Sequence, residues 1–142
     1  MRHRLSDSLS VLLQNLEPRL LPDDYVFCHL EQGRYGALAH RQPLASVAEE
    51  GGLSLVLSRT SADEEGLSYQ GVFRCISLHV FSSLQAVGLT AAVSSELAKF
   101  NISANLIAGT HHDHLLVPEH KADQALEHLM ALSAQAIRER KP

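Results

Sequence analysis

The sequence predicts an α+β fold made of two βαββα halves, antiparallel strands covered on one face by helices. Three observations carry this. Apolar residues alternate with period two in several short runs and recur with helical spacing in others. The second half reads strand, helix, strand, strand, helix. The first half gives a looser and shorter version of that order, which points to an internal duplication.

The elements follow in order. Leu5, Leu9, Leu12, Leu13 and Leu16 mark an amphipathic first helix that Pro18 stops. Residues 25–31 (YVFCHLE) are a strand, and residues 37–40 are a candidate hairpin partner for it. Residues 43–50 read as a short helix closed by Gly51 and Gly52. Residues 53–59 (LSLVLSR) alternate and form a strand. Residues 60–65 make a short helix ending at Gly66. The polar stretch 66–71 is the candidate join, dividing the chain into halves at 1–68 and 69–142. Residues 72–80 are a strand rich in β-branched and aromatic residues. Leu89, Val93, Leu97 and Phe100 share one face of a helix. Two strands, 103–109 and 112–117, meet at a tight turn, and Pro118 ends the second. Ala122, Ala125, Leu126, Leu129, Met130, Ser133 and Ile137 mark a long final helix with Arg138 and Arg140 at its negative end.

Composition narrows the function classes. The chain has 142 residues, 45% hydrophobic and 20% charged, which excludes intrinsic disorder. Twelve basic against sixteen acidic residues leave a net charge of −4, and no Lys/Arg block exists, so a nucleic-acid surface is not indicated. The longest uncharged stretch, residues 75–95, contains His79 and Gln85 and lacks the apolar continuity of a membrane span. No apolar leader follows the N-terminus. Cys28 and Cys75 sit in apolar strands and read as buried free thiols. The expected setting is the cytoplasm. Nine histidines are the one unusual count and raise the question of metal binding or titration near neutral pH.

Three motifs can carry chemistry. Between the strand 72–80 and the next helix, the loop ends Ala86-Val87-Gly88-Leu89-Thr90. Glycine permits close approach, and the helix start offers free N–H groups to a carboxylate. The same pattern also fits a capped turn in which Gly88 serves only its dihedral angles. Asn105 is out of character in a strand, and alternation puts it on one face with Ile107. Its amide suits either a ligand's polar end or a neighbouring backbone. His111, His112, Asp113 and His114 form a dense cluster. His112 and His114 point to one face, and His79 on a neighbouring strand can complete a three-histidine metal site. Hydrogen bonding across the sheet is the other reading. The histidines His3, His29, His40, His120 and His128 are scattered.

Residues 82–118, SSLQAVGLTAAVSSELAKFNISANLIAGTHHDHLLVP, resemble the core of an ACT domain in their strand, Gly-Leu helix start, NISAN entry and following strand. With YVFCHLEQG and LSLVLSR, the chain is similar to short bacterial proteins with two ACT-like halves, themselves distantly similar to the CASTOR arginine sensors. That resemblance implies ferredoxin-like halves and a regulatory module that binds a small molecule, usually an amino acid, where two such domains meet. It further implies a homodimer, a regulated protein partner, and Ala86, Val87, Gly88, Leu89, Thr90, Asn105 and Ile107 framing the ligand. The chain departs from the common pattern in carrying Val87 before Gly88.

No nucleophile elbow, Walker loop or dinucleotide fingerprint is present. The expectation is therefore a non-enzymatic binding module without a cofactor. The alternatives are a metal-binding protein or small metalloenzyme using His79, His112 and His114, and a structural subunit that binds a partner.

Overall fold

The computed structural model describes residues 8–140. The elements run α1 (Leu9–Gln14), β1 (Pro18–Glu31), β2 (Ala45–Glu49), β3 (Gly52–Ser58), α2 (Arg59–Glu64), β4 (Phe73–Leu78), α3 (Leu89–Lys99), β5 (Asn105–Ala108), β6 (Asp113–Pro118) and α4 (Ala122–Glu139). Leu5 of the expected first helix lies outside the described residues.

All six strands join one sheet in the order β2-β3-β1-β4-β6-β5, each neighbour antiparallel. The order reads the same from either edge. β1 flanked by β3 and β2 mirrors β4 flanked by β6 and β5, which is the arrangement an internal duplication produces. The halves join where Tyr25 pairs with Phe73 and Leu20 with Ile76.

The second half forms as its sequence predicts. In the first half, a three-residue 3-10 turn, Ala39–Arg41, stands where α3 stands in the second. No helix propagates there because Gln32, Gly36, Leu38 and Gln42 all have positive φ. Residues 37–40 accordingly do not pair with β1. Arg41 bridges this turn to α2 through Glu65 at 2.9 Å and Glu64 at 3.3 Å.

Residues 43–50 correct the sequence reading: they contribute strand β2, not a helix. Ala45 to Glu49 pair with Val56 to Gly52, and the two-residue turn Glu50-Gly51 closes the hairpin with Gly51 at φ +90°. Pairing along the β3 edge overrides the helical leaning of Ala and Glu. β1 likewise begins earlier than expected, at Pro18. A register shift between Leu20 and Asp24 accommodates Pro22, which cannot donate to a ladder.

Alternation divides the sheet into two faces. Ile76, Leu78, Leu115 and Val117 pack under α1, α3 and α4 with Leu12, Leu16, Leu89, Val93, Leu97, Ala125 and Leu129. Burying each large apolar side chain stabilises by about 1.5–3 kcal/mol. Val26, Cys28, Leu55 and Leu57 pack under Ala62 of α2. The opposite face holds Tyr25, Val56, Cys75 and Leu116 with Phe27, Phe73 and Ile107, and this cluster includes no helical residue.

Both cysteines are buried free thiols, as the apolar strands around them require. Burial pushes the Cys75 thiol up to about 11 and raises Cys28 as well. No helix among the described residues is long and apolar enough to cross a membrane.

Candidate functional site

The end of β4, the start of α3 and the β5–β6 hairpin converge on a cleft of about 80 Å³. Ser82, Ser83, Leu84, Ala86, Leu89, Thr90, Ala108 and Asp113 line it.

Gly88 builds one wall. It stands at the N-cap of α3 with φ +103°, a conformation only glycine adopts without strain. No side chain caps this helix start. Its first N–H groups have no partner within the helix and carry the positive end of the dipole. A Cβ at Gly88 would also stand 3.2 Å from Leu9 Cδ2, so α1 closes the loop from behind.

Asp113 builds the opposite wall. It pairs with Leu78 of β4 and Ala108 of β5, which turns it to the helical side of the sheet. Burial raises its carboxyl above the ordinary value, while His114 and His112 pull it back down. The cleft thus joins a helix N-terminus, a carboxylate and small hydroxyl side chains.

Of the residues expected to frame a ligand, Ala86, Leu89 and Thr90 line this cleft and Gly88 shapes it. Val87 is not part of the lining and is 84% exposed. Asn105 and Ile107 lie elsewhere. They pair with Leu116 and His114 on the bare face, while the alternate residues Leu106 and Ala108 face the helical side. The alternation predicted for 103–109 holds, yet it puts the two residues across the sheet from the cleft. Asp113 was not singled out for this site from the sequence, and Ser82 and Ser83 belong to the same loop ahead of the stretch 86–90 expected to frame the ligand. The signal for Asp113 was its own alternation, since a residue between His112 and His114 must face the other way.

His79, His112 and His114 do meet, on the bare face at the end of β4 and β6. The His79 and His112 rings lie 4.6 Å apart between centroids, tilted by 31°. Phe81 packs against His112 at 5.4 Å and against His111 at 6.4 Å. The arrangement does not match the alternative reading of a metal site: among the described residues no group of three His, Cys, Asp or Glu could hold a metal ion. Burial, then the neighbouring positive charges, lower the pKa of His79, against a weaker opposing pull from Glu17. Burial and His112 lower that of His114, against Asp113.

Sheet order and helix placement define two side-by-side α+β halves that share one antiparallel sheet. ACT-domain families match residues 6–74 and residues 70–131. The chain belongs to the ACT-domain family, whose members are typically regulatory modules that bind small molecules. Among solved structures it is similar to a Vibrio cholerae protein of unknown function described as a possible transport protein. That pair shares 43% identity and a TM-score of 0.80, over 88% of this chain and 95% of the other. An Agrobacterium tumefaciens protein shares the fold at 16% identity and TM-score 0.69, over 84% and 90%. So does the regulatory subunit of aspartate kinase from Thermus thermophilus, at 11% identity and TM-score 0.60, over 83% and 98%. No curated protein matches the chain.

Proposed function

We propose that this protein is a non-enzymatic sensor of a free amino acid or a similar small zwitterion, and that the ligand sits in the cleft beside Gly88. One observation carries the reading: the cleft sets the N-terminus of α3 against the Asp113 carboxylate. The ligand carboxylate accepts hydrogen bonds from the first-turn N–H groups of α3. Its ammonium group pairs with Asp113, and the hydroxyls of Ser82, Ser83 and Thr90 supply further polar contacts. Asn105 and Ile107 frame the other face and do not contact a ligand held here.

The cleft is small and open, so a larger ligand needs a wall from outside the chain. Leu84 (70% exposed) and Val87 (84% exposed) beside it suit contact with a second copy. We therefore infer a cytoplasmic homodimer that reports ligand binding to a partner protein.

A thermal-shift panel of the twenty amino acids and divalent metals tests this. The expected result is stabilisation by one or a few amino acids that Asp113→Ala abolishes and Asn105→Ala preserves. Stabilisation that survives Asp113→Ala rejects the site, and stabilisation by metals alone rejects the function.

A further inference from the structure

The histidine cluster is not explained by the cleft, yet it is built on the same hairpin. His112 and His114 point to the bare face, and Asp113 between them points into the cleft. Any change in how β6 is held at its first turn of chain therefore moves the cleft wall.

The imidazoles hold that end in place. His79 of the segment after β4 packs on the His112 ring, and His114 sits between Ser77 of β4 and Ile107 of β5. The Nδ1 atoms of His112 and His114 are shut away from solvent without a hydrogen-bond partner. A neutral ring protonated at Nε2 leaves Nδ1 as a bare acceptor, which is tolerable. A second proton at the His114 Nδ1 would create a buried N–H donor and a charge with no hydrogen-bond acceptor to receive them. The surroundings do not compensate. At His114 burial and His112 oppose the new charge, and Asp113 favours it less than burial opposes it; at His79 burial, Arg19 and His112 oppose a charge and Glu17 favours it less.

We propose that His79 and His114, packed about the His112 ring, form a proton-operated latch. Neutral, they hold the β5–β6 hairpin and its Asp113 wall closed, and protonation releases them. The latch rests on the ring packing and the buried ring nitrogens, and only its effect on binding rests on the ligand site proposed above.

The sign follows from the lowered values of His79 and His114. Below the ordinary 6.5, the open or unfolded chain takes up protons that the closed form refuses. Stability held above that point is lost as pH falls through the folded values. Asp113, raised above 3.8, opposes this only nearer the carboxylate range.

The test is amide hydrogen exchange and histidine NMR titration of the full chain, from about pH 7.5 to about pH 5. After correction for intrinsic exchange, the amides of Leu106 and Leu115 should lose protection about tenfold or more relative to Leu55 and Leu57 of β3. His79 and His114 should titrate below 6.5. The double variant His112→Phe, His114→Asn should abolish the selective loss. Equal loss across the sheet, no loss, or a selective loss with both histidines titrating at or above 6.5 overturns the latch. If the double variant does not fold, these wild-type measurements still decide. An amino acid that stabilises the protein should bind more weakly at the lower pH. If no amino acid binds, the ligand site fails while the exchange result still judges the latch.

Discussion

Gly88→Ala probes the strand–loop–helix junction that the candidate site depends on. Two costs add. An L-residue at φ +103° is held in a sparsely populated region, which costs about 1–3 kcal/mol. The new Cβ also meets Leu9 Cδ2 at 3.2 Å, so α1 must yield by a few tenths of an ångström. Leu9 is 37% exposed and can move, so this contact adds less than the backbone term. The expected loss is about 2 kcal/mol, lowering Tm by roughly 6–10 °C in a domain of this size. Urea denaturation with a common m-value is the assay. Leu9→Ala combined with Gly88→Ala should recover only a minority of the loss, because it removes the contact and leaves the backbone strain. A Gly88→Ala loss under about 0.5 kcal/mol refutes the positive-φ geometry, and full recovery in the double variant refutes the division of costs.

Leu97→Ala empties a fully buried position of α3 over the sheet and should cost about 2–5 kcal/mol in the same assay. Ser58→Ala removes the oxygen that accepts from the Ser61 N–H at 3.2 Å at the start of α2, and should cost about 1 kcal/mol. The Cys75 thiol, pushed up to about 11, should resist alkylation at pH near 8 in the folded protein and react readily in urea; rapid native labelling would contradict its burial.

How far the sequence reaches is visible in particular residues. The second half was legible because Leu89, Val93 and Leu97 repeat at helical spacing over strands that alternate cleanly. The first half hid its likeness. The turn Ala39–Arg41 stands in place of α3, and the edge strand of this half is written ASVAE, a string with no β signature of its own. Only pairing with β3 makes it a strand. The candidate cleft was half visible. A glycine between a strand and a helix exposed Ala86, Gly88, Leu89 and Thr90 in sequence. Asp113 was masked by the histidines around it, and the face taken by Asn105 and Ile107 depends on where the helices pack, which alternation alone does not reveal.

The central claim is the place of the ligand. Backbone NMR shift mapping with an amino acid that stabilises the protein tests it most directly. The account predicts perturbed amides at Leu89, Thr90, Ala108 and Asp113, with Asn105 unmoved. Perturbation centred on Asn105 and Ile107, with residues 82–90 and Asp113 silent, would contradict it.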